Sequence, residues 1–452
     1  MSALLDTTAA AALRQVATAQ AEGRLPSVAA GVVRDGELAW SAGRGRHVRR
    51  DSDARPDSDT QYKIGSVTKT MTAALILLAR QRGQLALDDR VGRFWPEGPF
   101  GEATLRSLLT HSSGITAEPH GSWWERSDGG DLVALAAAHQ GAGTTLEPGA
   151  QMHYSNLGYG LLGAVVDRVW GVSWWEALQA EILGPLAMSR TTYQWVEPAA
   201  EGFAVDALTG EAIPDRLPDT GAMAPAGQLW STVGDLATWL TALVDPDRSV
   251  LDAATLRAMA TPQHGDPDDR SGQSWGLGIE IARSRGRKLV GHAGSMPGFC
   301  CGAMIDSASG VGAIVLTNGA YGLGAATSEL VHLVLDQEPP LPEEWTPTTA
   351  PVPTAVRELL GTWHWGHAPT VLRWDGTELT AGPPQGPGRE MAFAPVGDGT
   401  FRGTSGYLAG ELLRPHRRAD GAIGHIECAT FIWTRTPYDP QAPIPGGTAP
   451  QS

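Results

Sequence analysis

The chain has 452 residues, enough for two or three domains at roughly 100–200 residues each. Apolar residues make up 42% and charged residues 18%, a globular composition that excludes global disorder. With 34 basic against 49 acidic residues the net charge is −15, which excludes recruitment to nucleic acid or an anionic membrane by bulk electrostatics.

In chain order, Ala9–Glu22 is alanine-rich and reads as a helix. Ser27–Val33 and Glu37–Ser41 flank Asp35-Gly36 and read as a hairpin. Ser66–Arg82 carries Val67, Met71, Ala74, Leu75 and Leu78 at helical spacing and stops at Gly83. Further helices are predicted at Ala103–Thr110, Asn156–Trp170, Trp174–Leu183, Thr232–Val244 and Ala253–Ala260. Strands follow at Ser274–Ala282, Phe299–Ile305 and Gly312–Thr317, then a helix at Gly324–Leu335. Strands at both ends around a helical middle predict one sheet built from both ends of this region.

The spacing then changes. Residues 338–354 hold six prolines from Pro339 to Pro353 and read as an extended linker between a domain at 1–337 and another at 355–437. The second domain shows short alternating segments at Gly361–Trp365, Thr370–Trp374, Glu378–Ala381, Met391–Pro395, Thr400–Gly403 and Ala429–Arg435. That is the pattern of a small all-β sandwich or barrel. Residues 438–452 read as a flexible tail.

The apolar stretch Thr72–Ala79 falls short of the roughly 18 residues of a membrane span. Met1-Ser2-Ala3-Leu4-Leu5-Asp6 lacks a basic segment and a cleavage site, so the expected compartment is the cytoplasm. Cys300, Cys301 and Cys428 form no disulfide framework, and His364 and His367 have no carboxylate or cysteine nearby. No metal and no cofactor are expected.

The chemistry concentrates at three places. Only three of the 34 basic residues are lysines, and one of them forms Ser66-Val67-Thr68-Lys69. Residues at i and i+3 share a helix face, so Lys69 can reach the Ser66 hydroxyl. A serine needs a nearby base, and a buried lysine can be one where an arginine cannot. Chance gives such a pattern in roughly 17% of chains of this composition, so the motif alone is suggestive. Tyr154-Ser155-Asn156 adds a phenol able to move a proton and an amide able to bind a substrate carbonyl or amide; Ser155 or Asn156 can equally cap a helix. Gly291-His292-Ala293-Gly294-Ser295 lies before the strand at Phe299. His-x-Gly also occurs at His139 and His364, so only context singles out His292.

This ordered triple resembles the serine β-lactamase and penicillin-binding-protein superfamily, on its class C side, with His-x-Gly in place of Lys-Thr-Gly. Leu108–Gly114, Glu147-Pro148-Gly149 and Trp275–Gly278 support the resemblance, which covers roughly residues 10–335. It implies an α+β fold: an antiparallel sheet flanked by helices, plus a helical subdomain. It implies that Ser66 is the acylated nucleophile, with Lys69 and Tyr154 as base and proton shuttle in an order the sequence leaves open. Asn156 and His292 would hold the substrate. The N–H groups of Ser66 and Ser295, beside Gly294, would form the oxyanion hole. The C-terminal domain resembles the lipocalin-like barrels of D-aminopeptidases, which shape the site or build an oligomer; a packing appendage is the plainer reading.

The resemblance therefore implies a serine hydrolase of small molecules or short peptides, foremost D-amino-acid peptides, with carboxypeptidase, aminopeptidase and esterase relatives. The alternatives are a β-lactamase or promiscuous carboxylesterase and, in another class, an acylated penicillin-binding sensor without turnover. Neither nucleic acid nor membrane is an expected partner, and a homo-oligomer stays open. His292 is expected to titrate near neutrality. His111 is expected to hold a loop, Trp123-Trp124 to line a cleft or pack a loop, Trp174-Trp175 to join the core, and the cysteines to be buried thiols.

Overall fold

Among the described residues of the computed structural model, strands from both ends of the first unit pair into one antiparallel sheet of eight. The structure describes residues 3–51, 53–265, 273–339, 344, 349–386, 388–437, 439 and 441–445. Across the sheet the order is Glu37–Gly45, Ser27–Arg34, Gly312–Thr317, Phe299–Asp306, Arg287–Met296, Glu280–Ser284, Gln273–Trp275 and His264–Gly265. Asp35 and Gly36, both at positive φ, make the tight turn of the first hairpin.

Strand Ser27–Arg34 is buried on both faces, which is why its sequence is almost wholly apolar. Val28, Ala30 and Val32 face Ala12 and Val16 of the Asp6–Glu22 helix and Leu330, Val331 and Val334 of the Ala326–Gln337 helix. Ala29 and Val33 face the opposite core, with Leu236 and Leu240 of the Val233–Ala242 helix. On the neighbouring strand a bulge at Ala39 flips the alternation, so that Trp40 opposes Val32 and Leu38 opposes Val33.

That opposite core contains the helix Thr68–Gln81, buried at every position from Thr68 to Ala79. From Ala73 to Ala79 it is apolar on every face, as a helix inside a core must be, and its buried polar residues Thr68, Lys69, Thr70 and Thr72 cluster at the N-terminal end. Its first turn, predicted as α-helix from Ser66, tightens into the 3-10 turn Gly65–Val67. The Asn156–Trp170 helix has its predicted bounds. The helix predicted at Trp174–Leu183 is α-helical only to Leu178 and continues as a π-turn. Trp174 is buried and donates its indole N–H to Thr72 Oγ1, 3.0 Å away.

The predicted strand Ser274–Ala282 is two short strands. Between them the N–H groups of Leu277 and Gly278 donate to Met259 and Leu109 carbonyls, which takes them out of the sheet. Strand Arg287–Met296, which holds His292, escaped the alternation pattern.

The chain divides into two compact units, residues 1–341 and 342–452. The second is a closed barrel of eight strands in chain order, from Gly361–Trp365 to Phe431–Thr434. Two of its strands, Leu412–Arg417 and Ile423–Cys428, were not predicted. Trp363, Phe393, Phe401, Leu413, Ile426 and Trp433 are fully buried and pack together. Arg435 lies 3.9 Å over the Trp363 ring and donates to the Glu358 carbonyl at 2.7 Å, while the Trp363 indole donates to Leu359. Of the linker and the tail, residues 340–343, 345–348, 438, 440 and 446–452 lie outside the described residues.

Candidate active site

Ser66 sits in the 3-10 turn, and Lys69 one turn later puts its Nζ 2.9 Å from Ser66 Oγ. The same amine donates to the Ala226 carbonyl at 2.7 Å. Lys69 has no exposed surface. Burial disfavours the cation and pushes its pKa down to about 7, against a smaller upward pull from the Glu118 and Glu125 carboxylates. The folded chain therefore binds fewer protons than the unfolded chain between about pH 7 and the ordinary lysine value, so stability rises with pH across that window. We expect the urea midpoint of the wild type to climb relative to Lys69→Met from pH 7 to pH 9; parallel curves would contradict this placement.

The Tyr154 phenol lies beside the Ser66 side chain, and Lys69 Nζ lies 5.1 Å from its ring centre. Burial, reinforced by nearby carboxylates and partly opposed by the Ser66 side chain, drives the phenol well above its ordinary value. Behind it, His111 stacks on the ring with centroids 4.3 Å apart. His111 Nδ1 accepts the Ser155 N–H at 3.0 Å and its carbonyl accepts the His153 N–H at 2.7 Å, which ties the two loops together. Burial first, then Lys69, holds this imidazole neutral.

His292 lies where strand Arg287–Met296 has left one neighbour. Pairing with Glu280–Ser284 ends at Gly291, while pairing with Phe299–Asp306 continues to Met296. Its Nδ1 contacts the Ala293 carbonyl. Burial, then Lys69, pushes its pKa down to about 3, so the ring is neutral throughout the range of about pH 5–8 in which it was expected to titrate.

The strand and the Gly65–Val67 turn meet backbone to backbone. A Cβ on Gly65, at φ +48°, would stand 2.5 Å from the Ser295 carbonyl oxygen and 2.7 Å from its nitrogen. One on Gly294 would stand 2.1 Å from the Ile64 carbonyl oxygen. Only glycine permits this approach. Gly65→Ala should cost roughly 1–3 kcal/mol of stability through strain alone and lower turnover at least tenfold by moving Ser295. Melting and steady-state kinetics on one preparation check it; a variant unchanged in both would refute the contact.

Ser155 caps the Asn156–Trp170 helix by accepting the Gly158 N–H at 3.0 Å, leaving the Asn156 carboxamide for other bonds. Asn156 Nδ2 donates to Glu118 Oε1 at 2.8 Å, and Trp124 Nε1 donates to Glu118 Oε2 at 2.7 Å. Of the Trp123-Trp124 pair, Trp123 is exposed and Trp124 buried. A cavity of about 840 Å³ lined by Phe100, Ile115 and His139 borders none of the predicted site residues.

The family model described as Beta-lactamase matches residues 12–336. The chain belongs to the Beta-lactamase family. Among curated relatives of this Beta-lactamase-family chain, penicillin-binding protein 4 of Amycolatopsis lactamdurans is 29% identical over 368 residues, 76% of this chain and 94% of the relative. Esterase EstB of Burkholderia gladioli is 29% identical over 348 residues, 66% and 88% of the two chains. Among solved structures, the octameric penicillin-binding protein homologue from Pyrococcus abyssi superposes with a TM-score of 0.64 at 23% identity, covering 95% of this chain and 100% of that one. D-amino acid amidase from Ochrobactrum anthropi SV3, complexed with D-phenylalanine, gives 0.63 at 23% identity over 73% and 98%. At such identities these two show the fold. Residues 352–435 match a domain of unknown function, DUF7586.

Within the Beta-lactamase-family unit the fold thus brings Ser66, Lys69 and Tyr154 together and sets Gly294 and Ser295 against the Gly65–Val67 turn. Glu118 and the Ala226 carbonyl were not predicted, and Trp124, expected with Trp123 to line a cleft or pack a loop, donates to Glu118. Each reaches the site from irregular or single-turn chain, where no periodic signal marks it.

Proposed function

We propose that the protein is a serine hydrolase that acylates Ser66 with small peptide, amide or ester substrates, foremost derivatives of D-amino acids. The observation that carries this reading is the 2.9 Å approach of a buried amine, poised near neutrality, to the Ser66 hydroxyl. Lys69 as free base takes the Ser66 proton while Oγ attacks the substrate carbonyl. Tyr154, held as a neutral phenol, is the shuttle that passes a proton to the departing amine or alcohol. The Ser66 and Ser295 N–H groups receive the oxyanion, and water later releases the acyl group. A Lys-Thr-Gly enzyme offers a carboxylate a permanent cation. His292 is neutral here, which favours amidase, peptidase or esterase activity over β-lactamase activity.

The kcat/KM profile should rise through an apparent pKa near 7 as Lys69 loses its proton, with no limb from His292. A profile flat from about pH 5 to 9 would count against Lys69 as the base. A panel of D-alanyl peptides, D-amino-acid amides, short p-nitrophenyl esters and a chromogenic cephalosporin, run on wild type and Ser66→Ala, tests the class. Ser66-independent turnover would defeat it.

No helix among the described residues is long and apolar enough to cross a membrane. The three cysteines are unpaired, which supports a reducing compartment such as the cytoplasm. The octameric state of the Pyrococcus abyssi homologue supports testing this chain for a homo-oligomer by light scattering.

A further inference from the structure

One residue, His111, grips Tyr154 at its backbone and at its ring. The His111 carbonyl accepts the His153 N–H at 2.7 Å, and His111 Nδ1 accepts the Ser155 N–H at 3.0 Å, so the chain is tied on both sides of Tyr154. The imidazole also stacks on the phenol ring, with centroids 4.3 Å apart and planes 30° from parallel. His111 is itself anchored. It follows the Leu105–Leu109 helix at φ +56°, its N–H donates to the Leu108 carbonyl, and the next N–H, of Ser112, donates to the Ser107 carbonyl at 2.8 Å. A backbone N–H can only donate, so Nδ1 is unprotonated and the neutral ring carries its proton on Nε2. Nε2 is buried without a hydrogen-bond partner. The Trp275 ring crosses the imidazole at 87°, with centroids 4.9 Å apart, the arrangement in which an N–H meets an aromatic face. Trp275 also lies against Tyr154, with 5.5 Å between ring centres.

We propose that His111 is a positioning residue that holds the Tyr154 phenol in the one orientation from which it protonates the leaving group. The inference rests on the acyl-serine reading above. As the bond from the carbonyl carbon to the departing oxygen or nitrogen breaks, the phenol proton passes to that atom. The phenolate is then restored by the proton that Lys69 took from Ser66. A phenol turned out of place therefore slows only those leaving groups that depart with a proton. Alcohols and amines need that proton; p-nitrophenolate, a stable anion, does not.

Two measurements test it. In wild type labelled with ¹⁵N at histidine, the His111 signals are assigned by their loss in His111→Asn or, should that variant fold poorly, in His111→Gln. The ring should be neutral, protonated at Nε2 and unchanged from about pH 5 to 8. A proton on Nδ1, or a ring that charges in that range, overturns the grip on Ser155 without reference to activity. The second measurement is kcat/KM for the methyl and p-nitrophenyl esters of D-alanine. Asparagine tolerates positive φ and keeps an acceptor for the Ser155 N–H while removing the stacked ring. His111→Asn should lose at least about tenfold on the methyl ester and less than about threefold on the p-nitrophenyl ester. In a Tyr154→Phe background the same substitution should cost less than about twofold on either ester, because a residue that acts through the phenol has nothing left to position. Equal losses on both esters, no loss on either, or a full loss in the Tyr154→Phe background each overturns the inference and leaves the hydrolase reading standing. Ser66→Ala turning over both esters at the wild-type rate would instead defeat that reading.

Discussion

Ser66→Ala should lower hydrolysis at least about a thousandfold while the melting temperature stays within a few degrees of wild type. Only one oxygen is removed, and Lys69 keeps its bond to the Ala226 carbonyl, so no new buried charge is stranded. A fluorophosphonate probe should label wild type at Ser66 and leave the variant unlabelled, read by intact and peptide mass spectrometry. Retained turnover or labelling in the variant would end the acyl-serine reading.

Lys69→Arg should fail in two separable ways. A guanidinium does not release its proton near neutrality, so the base is gone, and activity should fall by about two to four orders of magnitude. It is also a permanent cation in a place with no exposed surface, whereas lysine there is pushed down to about 7 and can be neutral. Leaving such a charge poorly compensated costs about 3–5 kcal/mol. Lys69→Met separates the two effects. It fills nearly the same volume and should be as inactive as the arginine variant, yet at least as stable as wild type below about pH 7, where wild type carries the buried cation. Denaturation curves and single-substrate kinetics on all three proteins decide the matter. An arginine variant near the wild-type rate would refute the assigned base.

Much of this was legible because it is local. Ser66 and Lys69 are i and i+3 on one helix, and helix Asn156–Trp170 and strand Gly312–Thr317 have their predicted bounds. What was hidden depends on contacts between distant segments. Glu118 reaches Asn156 from a loop 38 residues away, and nothing in its neighbourhood announces that bond. Strand Arg287–Met296 contains Gly291 and Gly294, which dilute the apolar alternation. The Gly294 approach to the Ile64 carbonyl explains why a side chain is missing there. The charge state of His292 follows from burial, which spacing does not reveal. In the barrel, Leu412–Arg417 alternates its one buried leucine with arginines and a proline, so it read as loop.

The pairing of early and late strands in one sheet has a consequence during synthesis. Ser66 leaves the ribosome long before Ser295, and Ser295 can take its place only once the strands flanking it have formed. At roughly 5–20 residues per second the nascent chain carries an exposed, incomplete centre for on the order of ten seconds or more. The hydroxyl and the amine can adjoin early, because they share a single turn. On the proposed mechanism the Ser295 amide arrives last, so catalysis would switch on only after the closing hairpin of the sheet has been made.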